Sequence, residues 1–321
     1  MKSKISLKGL TFLLFAAALS AYFAACGDNS TTSYMSDNDY LQSVISGGNS
    51  QSESNVTSTE SDNLNNGMAV ADDDNGMLNP IDSLKRWGRV VTGVNVNYNI
   101  TDFGDTVKSV LVTRTISGYY VIRAYSGGLP DSVNKPYTEV FTRTVSFKRI
   151  NSKPDPRLNW ALYQVSMANG KTTTPQVGTN QITINSINVY DANNNLLYTF
   201  NGPDFTQNIF TTLWFGGNGI PNFTRGEQIR VVVHLTSNQP DVDYVAWHWA
   251  RNGYGLHRTP FTLTSDIGGV RTYERTFNIH GSHKLGVFGG YISANTHKSL
   301  WDDDPSLFSS TTAGVIYKVL Q

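Results

Sequence analysis

The chain has 321 residues, and its 25 Lys or Arg residues balance 25 Asp or Glu residues, so its formal net charge is zero. A neutral chain without a dense Lys/Arg cluster argues against a nucleic-acid partner. A single cysteine excludes an intrachain disulfide, so an apolar core must hold the fold together. The low charged fraction (16%) and high aromatic fraction (12%) favour β-structure over helix.

Residues 1–25 have the order of a secretory signal peptide. Lys2, Lys4 and Lys8 precede an apolar run that ends in small residues directly before Cys26. The run is shorter than the ~20 residues of a membrane-spanning helix. A cleaved signal places the mature chain outside the cytoplasm.

The segment Phe23-Ala24-Ala25-Cys26 resembles the lipobox of bacterial lipoproteins, although that family usually has Leu where Phe23 stands. The resemblance implies that Cys26 carries lipid, that the signal is cut before it, and that the membrane is a partner through this anchor. Gly27, rather than Asp, follows the cysteine, and in the family's sorting rule this favours the outer membrane. The alternative is an ordinary cleaved signal with a free thiol, which the bulky Phe23 disfavours.

Residues 26–79 contain nine acidic residues and no Lys or Arg. Their Ser/Asn/Asp composition predicts a lipidated, disordered, acidic tether with an end-to-end distance of roughly 40 Å. One island, Asp37 to Ile45, has apolar residues at helical spacing. It predicts either a transient local helix or a docking peptide, and its shortness favours the transient helix.

Residues 80–172 carry 13 basic and 6 acidic residues and predict a basic β-meander domain. Asp82 to Trp87 is interpreted as a short helix start or lead-in. The last long strand, the turn after it and the segment Asn159 to Ser166 resemble the final hairpin of the NTF2-like and cystatin-like half-barrels, in which a short helix packs on a curved antiparallel meander. The predicted strands are 90–100, 106–117, 119–125, 138–150 and 160–165, with a predicted turn at Gly127 to Pro130 between the third and the fourth.

Residues 173–321 predict an antiparallel β-sandwich of about eight strands after a junction at 171–178. In its clearest strand Ile229, Val231, Val233 and Leu235 point inward. The following Trp-containing segment resembles immunoglobulin-like sandwiches, although the disulfide of antibody domains is absent. The predicted strands are 181–190, 196–200, 227–235, 243–250, 261–264, 271–279, 285–293 and 314–320.

The excess positive charge of residues 80–172 makes Arg143, Lys148 and Arg149 candidate contacts for anionic glycan or lipid head groups, or for another envelope protein. The three lie on one predicted strand, where alternation splits them between two faces. The competing interpretation is a solvated surface that the acidic tether partly neutralises.

No catalytic signature is present. The chain has no Gly-x-Ser-x-Gly, no phosphate-binding glycine loop and no zinc motif, so its histidines are interpreted as surface or core-edge residues. Asp191 to Asn195 resembles half of a calcium loop but is better explained as a β-turn. Asp302, Asp303 and Asp304 form a candidate calcium site, and no other cofactor is predicted.

Aromatic residues suggest a ligand platform. Trp214, Phe215 and Trp301 are the candidates for stacking against sugar, and the first two are favoured because they precede Gly216-Gly217. The alternative is that these aromatic residues fill the core of the sandwich. Trp247 and Trp249 share a strand face with Val245 and are therefore expected in the core.

The sequence thus predicts a lipid-anchored envelope protein with a binding or scaffolding role rather than catalysis. The alternatives are a subunit of a surface complex and a glycan hydrolase. A hydrolase would need a carboxylate pair, which the sequence spacing does not identify. Its candidate carboxylates are Asp302 to Asp304, Glu227, Asp241, Asp243 and Glu274.

Overall fold

The described part of the chain is built mainly from antiparallel β-strands, as the sequence predicts. The computed structural model describes residues 34–46, 69–70, 81, 83–175, 181–212, 219–250 and 256–321. Cys26 and most of the predicted tether lie outside these ranges. The elements are α1 (Asp37–Ile45), β1 (Ala69–Val70), β2 (Ser83–Phe103), β3 (Val107–Ser126), β4 (Leu129–Arg149), β5 (Trp160–Ser166), β6 (Ala168–Thr174), β7 (Ile182–Tyr190), β8 (Leu196–Asn201), β9 (Ile209–Thr211), β10 (Asn222–Thr224), β11 (Gln228–Ser237), β12 (Tyr244–Ala250), β13 (Leu256–Pro260), β14 (Thr262–Ile267), β15 (Val270–Asn278), β16 (Gly286–Asn295), α2 (His297–Trp301) and β17 (Ser310–Leu320), with single 3-10 turns at Pro156–Leu158 and Phe205–Gln207.

β2, β3 and β4 form a meander of 20- and 21-residue strands. Buried and outward positions alternate along β3 from Val110 to Ala124, which is the period of a sheet with one covered face. The turn between β3 and β4 consists of Gly127 and Gly128 with φ of 57° and 76°. A two-residue hairpin turn whose twist matches that of the flanking strands needs positive φ at both residues. The predicted turn is therefore confirmed.

The structure corrects two predictions in the meander. The two strands predicted on either side of Gly118 are one continuous strand, in which Gly118 is buried and the Val90 carbonyl of β2 lies against it. A Cβ at Gly118 would clash with that oxygen. The helix start predicted at 82–87 is wrong, since β2 begins at Ser83 and buries Leu84 and Trp87.

A twelve-stranded sheet connects the two halves of the chain. Its main path runs β1-β2-β3-β4-β6-β17-β16-β12-β13. The predicted boundary between residues 172 and 173 lies inside β6, which pairs with β4 on one side and with β17 on the other. Hydrogen bonding is therefore continuous across the predicted junction, and the division into separate domains stays a prediction.

A second sheet covers one face of the C-terminal strands. It has five antiparallel strands in the order β14-β15-β11-β7-β8. Val231 and Val233 on β11 share a buried core with Ile292 on β16 and Val315 on β17. The C-terminal half thus forms two facing layers, and the predicted alternation of β11 is confirmed.

The opposite face of the same strands packs against the far end of the meander. Trp87 of β2 stacks on Tyr120 of β3, with ring centroids 5.2 Å apart, and meets Tyr244 of β12 edge-on at 5.6 Å. The large sheet therefore curls into a half-barrel that encloses a second core. β12, β16 and β17 lie between two cores, which explains why their side chains are buried on both faces.

Helix α1 lies within the predicted tether, but it belongs to the folded unit that begins at Ser36. Ser36 caps it by accepting a hydrogen bond from the backbone N–H of Asp39 at 3.1 Å. The apolar face is buried in the first core, where Leu41 has no exposed surface. The preference for a transient local helix is wrong for this segment, since burial of the apolar face supplies the stability that a nine-residue helix lacks alone. The buried residues of the helix are Tyr40, Leu41, Val44 and Ile45.

Candidate binding site

An apolar cavity of about 160 Å³ lies between the two sheets. Strands β7, β8 and β11 supply one wall, and β12, β16 and β17 supply the other. Among the described residues that line it, none is acidic. Its lining includes Val189, Phe200, Val231, Trp247, Ile292 and Val315.

Strand alternation turns these side chains toward the cavity. Ile229 and Val231 lie on the inward face of β11, whereas Arg230 between them pairs with Glu274 on the outer face at 2.9 Å. Opposite them, Trp247 packs partly buried against the core, as predicted. Gly290 makes room for it, because a Cβ there would lie 2.5 Å from the indole ring.

Two histidines lie at one end of the cavity, in the turn between β15 and β16. The backbone N–H of His283 donates to the carbonyl of His280 at 2.9 Å and closes the turn. The His283 ring meets Phe288 edge-on, with centroids 4.5 Å apart, and is half-buried. His280 is exposed. The cavity therefore combines apolar walls with two imidazole groups at its rim.

The half-barrel encloses a second group of polar side chains. Arg89 of β2 binds the Glu139 carboxylate of β4 with both terminal nitrogens, at 2.8 and 3.1 Å. Its Nε donates to the Tyr120 hydroxyl at 2.9 Å. Burial raises the pKa of the Glu139 carboxyl, and the neighbouring guanidinium opposes that rise.

The same network continues into β16 and β12. The Tyr120 hydroxyl donates to Asn295 Oδ1 at 3.2 Å, and the Asn295 amide donates to the Ser293 hydroxyl at 3.3 Å. The Ser293 hydroxyl also lies 2.8 Å from His248 Nε2. Burial lowers the pKa of His248 well below its ordinary value, so the imidazole is neutral there, stacked at 4.2 Å on Tyr291. These groups are buried, and the network connects five strands of the half-barrel.

Three of the carboxylates considered for a hydrolase have local partners. Asp243 is buried and pairs with Arg271, which also binds Asp266 at 2.7 Å. Glu274 pairs with Arg230, and the Glu227 carboxylate accepts from the backbone N–H of Thr224 at 2.6 Å.

The acidic loop has a structural role. Asp302 accepts a hydrogen bond from the backbone N–H of Asp304 at 2.8 Å, and Asp304 accepts from the backbone N–H of Ser306 at 2.8 Å. Burial lowers the pKa of the Lys135 ammonium, and the three carboxylates oppose part of that decrease. In the ranges that the structure describes, no group of three or more His, Cys, Asp or Glu side chains is arranged to hold a metal ion. Likewise, Asp191 to Asn195 forms the predicted turn, with Asn194 at a φ of 64°.

The proposed aromatic platform is only partly described. Trp301 stacks on His297 of the same short helix at 4.8 Å and packs beside Tyr244 at 6.2 Å. Trp214 and Phe215 lie outside the described residues, as does the side chain of Trp249.

The three candidate contacts for anionic partners differ in exposure. Arg143 is fully buried, which corrects its prediction as a surface contact, because odd-numbered residues of β4 face the interior. Lys148 is exposed. Arg149 is half-buried and donates to the backbone carbonyl of Asn151 at 3.2 Å.

Comparison with models of known protein families and with curated proteins finds no match to this chain. None of the described helices is long and apolar enough to cross a bilayer. The function is therefore inferred from the fold and from the geometry of the site.

The sequence correctly predicted β11 and the partial burial of Trp247. It did not predict the cavity or the polar network, because each is assembled from strands far apart in the chain.

Proposed function

We propose that this protein is a lipid-anchored envelope protein that binds the apolar part of a small ligand between its two sheets. The observation that supports this proposal is the apolar cavity between the sheets. An apolar cavity of ~150 Å³ is large enough for a benzene-sized group. Transfer of such a group from water contributes roughly 25 cal/mol per Å² of apolar surface buried.

The anchor is proposed from the signal-like first 25 residues and from Cys26, and it implies a location at the outer membrane. The resemblances to immunoglobulin-like and NTF2/cystatin-like domains stay predictions beyond the mainly antiparallel fold. A protein held at an envelope membrane has access to small apolar molecules that partition there. Lipid attachment and an apolar cavity are therefore compatible parts of one binding function.

Binding is favoured over hydrolysis by the chemistry of the described side chains. Glycoside hydrolysis uses two carboxylates that face each other across the substrate. Asp243 and Glu274 each pair with an arginine, and no acidic side chain is among the described residues that line the cavity. A role as a subunit of a surface complex is the other proposal, and a pull-down with the intact lipoprotein tests it.

Filling the cavity tests the function. Val231→Phe should place extra carbon atoms in the space that a ligand would occupy. We expect toluene to shift the methyl resonances of cavity residues in the wild-type protein and to bind the variant at least about tenfold more weakly.

The matched control is Val270→Phe, because Val270 is 53% exposed at the start of β15 and does not line the cavity. It should bind toluene as the wild type does. Both variants are first checked for a cooperative thermal transition. No methyl shifts in the folded wild type, or equal binding by Val231→Phe, would show that the cavity is not a ligand site.

A further inference from the structure

The two histidines at the cavity rim have different fixed tautomers. The backbone N–H of Ser282 donates to His280 Nδ1 at 3.1 Å, and a backbone N–H can only donate. His280 Nδ1 is therefore unprotonated, and in the neutral ring the proton lies on Nε2. The Ser282 hydroxyl lies 2.7 Å from the same nitrogen and can donate to its lone pair as well.

His283 has the opposite tautomer. Its Nδ1 lies 2.8 Å from the backbone carbonyl of Lys284, and a carbonyl can only accept. His283 Nδ1 is therefore protonated, and in the neutral ring Nε2 carries a lone pair. Since Nδ1 is used locally in both rings, Nε2 is the nitrogen with which each ring would bind a ligand. One Nε2 is a donor and the other is an acceptor.

We infer that the cavity selects small amphiphiles with an uncharged head group that both accepts and donates a hydrogen bond, namely amides and alcohols. The apolar part would occupy the space between the sheets. The head group would accept from His280 and donate to His283. This inference rests on the proposed function of the cavity and adds the class of ligand.

Charged head groups fit this pair of rings less well. A carboxylate accepts from His280 but has no proton to donate to His283. An ammonium group donates to His283 but has no lone pair for His280. Both would also lose hydration at the edge of an apolar space, which is costly for a charge without a full set of partners.

A ligand series with one ring and different head groups tests the inference. Toluene, benzyl alcohol, benzamide, benzoate and benzylammonium are titrated into the folded chain at about pH 8, where imidazoles are ordinarily neutral. We expect benzyl alcohol and benzamide to bind roughly tenfold more tightly than toluene, since two hydrogen bonds each add a modest net gain. Benzoate and benzylammonium should show no such gain.

Histidine variants identify the source of the preference. His283→Phe keeps a ring against Phe288 but removes the acceptor, and His280→Phe removes the donor. Each should lose most of the preference for benzamide over toluene, measured as the ratio of the two affinities in the same variant. His234→Phe is the control, because His234 is half-buried on the outer face of β11, where its ring contacts Thr272.

The outcomes separate this inference from the proposed function. If toluene does not bind the wild type, the cavity is not a ligand site and both fail. If toluene binds but benzamide gains nothing, or keeps its gain in both histidine variants, only the head-group inference is overturned. Benzoate as the tightest ligand would also overturn it, because it would show selection of an anion.

Discussion

At the scale of single residues, the fold compensates buried charges locally. The Lys135 ammonium donates to the backbone carbonyls of Lys298 and Leu307 at 2.6 and 3.1 Å. Burial lowers its pKa to about 8, and the carboxylates of Asp302 to Asp304 limit that decrease. The acidic loop that the sequence suggested as a calcium site thus has a described partner within the chain.

The lowered pKa of Lys135 predicts a pH-dependent stability. The folded-state pKa of about 8 lies below the ordinary 10.5, so between these values the unfolded state binds more protons at this group. The contribution of Lys135 to the free energy of unfolding should therefore rise with pH across this window. In urea unfolding between pH 8 and 10, the slope of the free energy of unfolding against pH should be more positive in the wild type than in Lys135→Met.

Lys298→Met is the control for that measurement, because only the backbone carbonyl of Lys298 contacts Lys135. It should keep the wild-type slope. An unchanged slope in Lys135→Met would mean that other groups cause the pH dependence.

At the scale of elements, the sequence correctly predicted those strands and turns that are determined by neighbouring residues. β11 alternates Ile, Val and Leu with polar residues and is a strand, and the paired glycines at 127 and 128 form a tight turn. The spacing of α1 predicted its helical form but not its position. Whether a short apolar face packs against a core depends on a surface that residues far along the chain provide, and the helix pattern does not contain that information.

The buried face of α1 predicts a large effect of a small truncation. Leu41→Ala should lower the free energy of unfolding by about 2–5 kcal/mol, because it leaves a cavity in the first core. Gln42→Ala, at a half-buried position of the same helix, should change it by less than about 0.5 kcal/mol. Chemical denaturation of the chain from residue 27 measures both. A loss below about 1 kcal/mol for Leu41→Ala would show that the helix does not contribute to the folded unit.

At the scale of the whole molecule, long-range pairing determines the candidate site. Val189 and Val315 line one cavity although they lie on strands at opposite ends of the C-terminal half. The polar network likewise joins Arg89 to His248 through residues of four strands, β2, β3, β16 and β12. The alternation of residues along β4 contains one indication of this network. Glu139 and Arg143 have odd numbers and therefore lie on the same face of the strand as Val145 and Phe147. Two charges at inward positions indicate a buried polar cluster, which net charge alone conceals.

Net charge also overstates the positive surface of residues 80–172. Four of their basic residues are buried, so they cannot contact a membrane or an anionic glycan. Lys148 remains exposed on the outer face of β4. Any electrostatic contact would therefore involve fewer residues than the sequence count suggests. The buried residues are Arg89, Arg114, Lys135 and Arg143.

Membrane association should therefore have a salt-resistant and a salt-sensitive contribution. Lipid on Cys26 should keep the mature chain on vesicles at high salt, because acyl burial does not depend on screening. A Cys26→Ser chain should bind anionic vesicles only at low salt, since exposed charges act over ~8 Å at physiological ionic strength.

In the Cys26→Ser chain, Lys148→Ala should weaken binding at low salt further. Arg143→Ala should reduce thermal stability and leave binding of the folded fraction unchanged, because its side chain is fully buried. Vesicle co-sedimentation at low and high salt measures each contribution, and salt-insensitive binding of the Cys26→Ser chain would contradict both the anchor and the electrostatic contact.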